Sequence, residues 1–348
     1  MKVVFVGDAY ITSEMMRAAA KQILTENDIC KFLYFGESNR GEMRNTVKMI
    51  EAHRREEIEV PEKLFDEIVD ADLLVVHLCP VNRNLIEKAK KLKAVLSCRG
   101  GRENIDIDAC SEKGIIVTVN PAHNANAVAE FTIGLMLCES RNICRANYAL
   151  KNGKWREKFP NTATTIRELS DMTIGIIGFG SVGKLVAHKL SVFGCRILVS
   201  DPFFKPEPDE SYNCEFVGLN ALLRESDIVS LHARANGVIL GAEQFEIMKP
   251  TAYLINTARS IMVDPEALRK ALEMNLIMGA AIDVFETEPH IDDFYREFDN
   301  ITITNHRGGD TINSYSDSPK FSLKNYLGYV NKGSKLIFWA NKDAFSAN

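Results

Sequence analysis

Two doubly wound α/β domains, each a parallel sheet covered by crossover helices, are predicted by three features of this 348-residue sequence. Short β-rich apolar runs alternate with helical patterns from end to end, as βαβ units require. The runs fall into two successive series. The length, with 46% hydrophobic and 26% charged residues, suits two cores better than one.

The first series has strand-like runs at 3–6, 31–35, 73–78, 94–98 and 115–119; the second has them at 174–177, 196–200, 228–231, 253–255, 280–282 and 301–304. Between them, 127–150 places Val128, Phe131, Leu135 and Cys138 at helical spacing and is expected to carry the chain from one domain into the other. The last helical pattern, 314–330, has no new strand to serve and is expected to pack back on the first domain. The expected division is therefore 1–122 with 307–348 for one domain and 123–306 for the other. The stretch 202–213 is the only Pro-rich polar one, and no internal repeat stands out.

Acidic and basic residues are spread along the chain, with 47 Asp and Glu against 42 Lys and Arg. No basic face offers itself to phosphate backbones, so nucleic acid is not an expected partner. The start, MKVVFVGDAY, runs directly into a strand pattern without the zones of a signal peptide, and no apolar run is long enough to span a bilayer. A cytoplasmic location away from membranes is expected. The eight cysteines form no CxxC pair and read as buried free thiols in a reducing compartment, with no metal site.

Gly178, Gly180 and Gly183 have GxGxxG spacing, after the strand-like TIGII and before an amphipathic helix pattern. In that context the first glycine allows a tight turn, the second lets backbone approach a pyrophosphate, and the third lets helix pack on strand. The helix amino terminus then faces the phosphate charge with free N–H groups. About 20 residues on, the run CRILVSDPF ends its strand pattern at Asp201, where a carboxylate accepts from ribose hydroxyls and repels a 2′-phosphate. The expected cofactor is NAD. Gly7, with no such pattern after it, reads as an ordinary strand-end glycine.

Three later strand ends carry polar residues that a packed sheet does not need: Arg259 in LINTARS, Asp283 and Glu288 in AIDVFETEP, and His306 in ITITNHRGG. Singly, each has an ordinary explanation as a solvated or turn residue. Together, at strand carboxyl ends that face a ligand crevice, they place a base, a carboxylate and a guanidinium near the nicotinamide.

With these motifs in place the sequence resembles the D-isomer-specific 2-hydroxyacid dehydrogenase family, which includes phosphoglycerate dehydrogenases, D-lactate dehydrogenases and glyoxylate or hydroxypyruvate reductases. The resemblance runs through ENID at 103–106, GIIVTVNPAHNANAVAEFTIGLML, GFGSVG, SDIVSLHA, MKPTAYLINTARSIMVDPEAL, AAIDVFETEP and the His306 segment. It implies a Rossmann NAD-binding domain inserted in a flavodoxin-like substrate domain, with the site in the cleft between them. The implied reaction moves a hydride between nicotinamide and C2 of a 2-hydroxy or 2-keto acid.

By the same resemblance, Arg259 grips the substrate carboxylate and C2 oxygen with its fork of donors. His306 exchanges the C2 hydroxyl proton, and Glu288 accepts from the imidazole and orients it. Asp283 is implied to bond the nicotinamide carboxamide, and Ser181, Val182, His232, Thr257 and His306 to contact the cofactor with the glycines and Asp201. Substrate carboxylate binding is implied for Arg99, Gly100 and Gly101 with Arg259. A homodimer, built partly from 127–150, is a further implication.

The chain departs from the family pattern at RGGREN, which sets Arg102 and Glu103 before Asn-Ile-Asp, and at Arg307, where an apolar residue is usual. If both arginines point into the cleft, the acid carries extra hydroxyls, a second carboxylate or a phosphate. The rival in another class is an NAD-sensing regulatory protein that keeps the fold. Retention of Arg259, Glu288 and His306, and the lack of long extensions, argue for turnover instead.

Overall fold

The computed structural model describes residues 1–159, 166–206 and 212–345, so the Pro-rich stretch at 202–213 lies partly outside the described residues. The chain divides into two compact units, Met1–Asn124 with Thr311–Asn348, and Ala125–Asp310.

The first unit runs β1 (Lys2–Gly7), α1 (Ser13–Ile23), β2 (Ile29–Tyr34), α2 (Arg44–Glu51), α3 (Glu62–Glu67), β3 (Leu73–Val76), α4 (Arg83–Lys88), β4 (Ala94–Ser97), α5 (Ile107–Glu112) and β5 (Ile116–Thr118). Its five parallel strands lie in the order β2-β1-β3-β4-β5, the flavodoxin-like order. Alternate residues of β1 feed two cores. Val4 and Val6 join Leu64, Leu85 and Ile86 on one face; Val3 and Phe5 join Met16 of α1 on the other. Both faces are thus covered, which is why β1, β3 and β4 read as apolar runs.

Gly7 proves more than a strand end. A Cβ there would stand 2.9 Å from Ile11 O and Ser13 N, so the β1–α1 turn closes over it only because it has no side chain.

The second unit runs α6 (Ala125–Ser140), α7 (Ile143–Lys151), β6 (Thr173–Ile177), α8 (Ser181–Ser191), β7 (Arg196–Ser200), β8 (Glu215–Phe216), α9 (Leu219–Glu225), β9 (Ile228–Leu231), α10 (Ala242–Ile247), β10 (Tyr253–Asn256), α11 (Pro265–Glu273), β11 (Gly279–Ile282), α12 (Phe294–Glu297) and β12 (Ile301–Ile303). The sheet order β12-β11-β10-β9-β6-β7-β8 is the Rossmann order extended by one strand. β8 escapes the sequence pattern because it is two exposed residues at the sheet edge. Helix α13 (Ile312–Lys332) then returns to the first unit and packs on α1 and β4.

The stretch 127–150 is two helices, broken at Asn142, whose φ of 55° is left-handed. α6 is apolar on most sides and is buried within its own unit against α8, β10 and β11. The exposed apolar side chains of this stretch, Ile143, Tyr148 and Leu150, belong to α7. Of the cysteines, Cys79, Cys98 and Cys110 are buried, whereas Cys30, Cys138, Cys144, Cys195 and Cys214 are partly exposed, so burial of all eight does not hold.

Candidate active site

At the carboxyl end of β6 the Gly-rich turn has a distinct steric reason for each glycine. Gly178 has φ +94°, and a Cβ would lie 2.4 Å from Ala233 N, because the segment leaving β9 crosses directly over it. A Cβ on Gly183 would lie 2.1 Å from Gly178 O, so α8 packs on the turn at backbone distance. Nothing stands within 4 Å of a Cβ on Gly180, which leaves open space at the head of α8. That helix has no side-chain cap, so the N–H groups of its first turn, including those of Ser181 and Val182, remain available to an anion.

Asp201 follows β7 and is fixed by backbone. Its Oδ2 accepts from Phe179 N at 2.7 Å and its Oδ1 from Phe203 N at 2.9 Å and Phe204 N at 3.1 Å. The acid therefore braces the glycine turn from the end of β7. His232, at the end of β9, has Nε2 2.9 Å from Ser230 Oγ, and its Nδ1 is buried without a partner. Burial pushes its pKa down to about 3, so the ring is neutral near pH 7. Thr257 Oγ1 lies 2.8 Å from Thr132 Oγ1, which itself donates to Val128 O on α6. An open cradle over Gly180, an uncapped helix head, an acid at the end of the next strand and an orphaned imidazole nitrogen offer a dinucleotide its contacts, so the residues present fit NAD.

The ends of β10, β11 and β12 are neighbours in the sheet. Arg259 follows β10 and is exposed; its Nη1 donates to Ala258 O at 2.7 Å, and its own carbonyl accepts from Asn256 Nδ2 at 3.0 Å. His306 stands on the turn after β12 with a left-handed φ of 53°, and its Nδ1 donates to Glu288 Oε2 at 2.8 Å. Glu288 is held in turn by Phe285 N, 3.1 Å from Oε1.

Beneath this pair lies Asp283, 1% exposed. Its Oδ1 accepts from Thr304 Oγ1 at 2.6 Å and Arg307 N at 2.8 Å, and its Oδ2 from Gly308 N at 2.9 Å. The carboxylate thus pins both sides of the turn that bears His306, a duty its place in the sequence did not reveal.

Within the first unit, Gly100 passes so close to Pro121 that a Cβ would stand 2.8 Å from its Cα. Arg99 Nη2 lies 3.4 Å from Glu103 Oε2, and the same carboxylate oxygen lies over Gly101, 2.2 Å from where a Cβ would be. Arg99 Nη1 is buried with no partner. The carboxylate expected here from a substrate thus has a rival in Glu103.

Of the two departing arginines, only Arg307 has its charge met by a carboxylate. Arg102 is exposed and donates to Ala340 O at 3.2 Å, and Arg307 is paired with Asp310 at 2.6 Å. Sequence reasoning passed over a polar pair in the same unit. Asp8 at the end of β1 is fully buried and accepts from His77 Nδ1 at 2.9 Å, at the end of β3. Although burial pushes the Asp8 carboxyl up, the His77 charge and hydrogen bond and the Ile11 and Tyr10 N–H groups hold it below the usual range. His123, after β5, bonds Asn120 O at 3.1 Å through Nδ1; burial above all, then the charges of His77 and Arg99, lower its pKa. Among the described residues, no group of three or more His, Cys, Asp or Glu is placed to hold a metal, and no helix is long and apolar enough to cross a membrane.

A Rossmann-order sheet whose glycine turn, acid and polar strand ends fit NAD defines a nicotinamide-dependent oxidoreductase. The particular family follows from comparison with known proteins. Residues 133–308 match the family model "D-isomer specific 2-hydroxyacid dehydrogenase, NAD binding domain". A glyoxylate reductase of Thermococcus litoralis is 32% identical over 317 residues, 87% of this chain and 96% of that protein. A D-3-phosphoglycerate dehydrogenase of Methanocaldococcus jannaschii is 40% identical over 256 residues, 72% of this chain; the match spans only 48% of that longer protein. Among solved structures, the NAD-complexed form of a D-isomer-specific 2-hydroxyacid dehydrogenase from Lactobacillus delbrueckii ssp. bulgaricus shares the fold, with TM-score 0.76 and 21% identity over 98% of this chain and 100% of that one. The chain belongs to the D-isomer-specific 2-hydroxyacid dehydrogenase family, and its cofactor is NAD.

Proposed function

We propose that this chain interconverts a D-2-hydroxy acid and its 2-keto acid, and that the acid carries a further polar, oxygen-bearing group. The observation that carries the reading is the His306–Glu288 pair, 2.8 Å between Nδ1 and Oε2, on a turn clamped by Asp283. NAD, when bound, accepts or supplies the hydride at C2. With Nδ1 committed to Glu288, His306 has Nε2 left to take the C2 hydroxyl proton in oxidation and return it in reduction. Glu288 fixes the ring's orientation. Arg259 holds the substrate carboxylate and the C2 oxygen through a planar fork that keeps its charge throughout.

In the first unit, the Arg99, Gly100 and Gly101 turn is assigned to the substrate carboxylate, which displaces Glu103 from it. Gly178, Gly180, Ser181, Val182, Gly183, Asp201, His232, Thr257 and Asp283 are assigned to the cofactor. A homodimer through the apolar side chains of α7 and a cytoplasmic location complete the proposal.

The test is a panel of 2-keto acids with NADH, followed by loss of nicotinamide absorbance, on the wild type and on His306→Asn. The substitution is expected to lower kcat on the order of 10² to 10⁴ while NADH binding stays nearly intact. No turnover of any 2-keto acid by the wild type, or unchanged kcat in the variant, overturns the assignment.

A further inference from the structure

The turn that Arg99, Gly100 and Gly101 make after β4 is held by buried side chains that have no part in the function proposed above. Ser318 of α13 donates from Oγ to Cys98 O at 2.5 Å and accepts from Asn120 Nδ2 at 2.8 Å. Asn120, just beyond β5, closes the circuit by donating its main-chain N–H to Arg99 O at 2.8 Å. One helical turn further along α13, Ser322 Oγ donates to Ser97 O at 3.2 Å. The carbonyls of Ser97, Cys98 and Arg99 are therefore all engaged, by residues of the same unit.

Packing alone does not call for these hydroxyls. Leu323, their neighbour on α13, meets the core of the first sheet with an apolar side chain. A buried hydroxyl costs desolvation that only its hydrogen bonds offset, so Ser318 and Ser322 are informative for what they bond.

The consequence follows from the planarity of the peptide. Across a trans peptide, the C=O of one residue and the N–H of the next point in opposite directions. Fixing Arg99 O on Asn120 thus fixes the direction of Gly100 N–H, and fixing Cys98 O on Ser318 does the same for Arg99 N–H. Gly100 is confined on its other side, where a Cβ would stand 2.8 Å from Pro121 Cα.

We infer that Ser318 and Asn120 are positioning residues that aim the Gly100 N–H at the substrate carboxylate. The inference rests on the proposed assignment of this turn to that carboxylate, and adds what orients its donor. Ser318 acts through Asn120. Without the hydroxyl, the Asn120 side chain loses its acceptor, its main-chain N–H shifts, and the peptide between Arg99 and Gly100 turns with it.

The experiment compares the full-length wild type with Ser318→Ala, Asn120→Ala, the double variant and Gly100→Ala. Steady-state kcat and KM are measured with NADH on the most active 2-keto acid of the panel, NADH binding by fluorescence, and thermal unfolding by circular dichroism. Each of the first two variants is expected to raise KM for the keto acid by about tenfold, as the loss of one hydrogen bond to a charged group implies, with a smaller fall in kcat and unchanged NADH binding. The double variant is expected to raise KM no further than the worse single one, because both residues act through one contact. Gly100→Ala shifts the turn directly against Pro121 and is expected to raise KM at least as much.

Unchanged KM in either Ser318→Ala or Asn120→Ala overturns the inference even if the unfolding midpoint falls, since a merely structural pair moves the midpoint alone. Effects on KM that multiply in the double variant overturn it as well; both results leave the proposed function standing. Unchanged KM in Gly100→Ala overturns the assignment of the turn to the carboxylate, and a wild type that reduces no 2-keto acid overturns the proposed function, and the inference falls with either. Should one single variant fail to fold, the other decides by the same KM.

Discussion

Replacing Asp283 by Asn tests whether the buried clamp, rather than the His306–Glu288 contact alone, sets the acid/base geometry. The carboxylate receives three hydrogen bonds at 2.6, 2.8 and 2.9 Å while 1% exposed. An amide can keep its oxygen toward Thr304 and Arg307 N, but its NH₂ group then meets the Gly308 N–H, donor against donor. One buried unsatisfied donor and the loss of charge on the remaining bonds cost about 3 kcal/mol together. For a unit of this size that lowers the unfolding midpoint by roughly 6–12 °C.

The catalytic consequence follows from His306, whose φ of 53° is a conformation that costs an L-residue about 1–2 kcal/mol. Once the clamp loosens, the turn relaxes and the imidazole leaves Glu288. Misplacement by about 1 Å is enough for a loss on the order of 10² in kcat. Thermal unfolding by circular dichroism, NADH binding by fluorescence and steady-state kcat on an active 2-keto acid measure the three effects. A midpoint within about 1 °C of wild type with unchanged kcat would refute the clamp. A lowered midpoint with unchanged kcat would show that Asp283 stabilises the unit without positioning His306.

Three more outcomes are expected. Gly178→Ala meets Ala233 N at 2.4 Å in a left-handed conformation, so it should cost about 2–5 kcal/mol by urea unfolding and weaken NADH binding, whereas Gly180→Ala, in open space, should spare stability. Asp201→Ser removes the charge that repels a 2′-phosphate and should narrow the preference in kcat/KM for NAD over NADP; a wild type that favours NADP would contradict this role. His232, with its pKa pushed down to about 3, makes the fold acid-sensitive. Below about pH 6.5 the unfolded imidazole takes a proton that the folded one refuses, so stability falls by about 1.4 kcal/mol per pH unit, or about 2 kcal/mol by pH 5. Urea midpoints at pH 7 and pH 5 should therefore differ less in His232→Gln than in wild type, and equal slopes would rule the effect out.

Local pattern made much of the molecule legible before any coordinates. β1, β3 and β4 are continuous apolar runs because both faces of a parallel sheet are covered, and a run of that kind betrays itself in one dimension. The glycine turn was legible for a similar reason, since its steric demands fall within a few consecutive residues at fixed spacing. β8 was not, because two exposed residues paired to an edge strand leave no periodicity to detect.

By itself, then, the sequence determined the alternation of strand and helix, the dinucleotide turn with its acid, and the candidate residues at the ends of β10, β11 and β12. Only the tertiary structure decided which polar groups meet. Asp8 and His77 are 69 residues apart and pair because β3 returns beside β1. Glu103 lies over the turn meant for a carboxylate, Arg307 is neutralised by Asp310, and Asp283 holds the turn of His306 from beneath. Backbone periodicity is set by neighbours along the chain, so it can be read locally. The partners of a buried charge are set by strand order and by the need to satisfy every desolvated donor and acceptor, and those become fixed only when the sheet has closed around them.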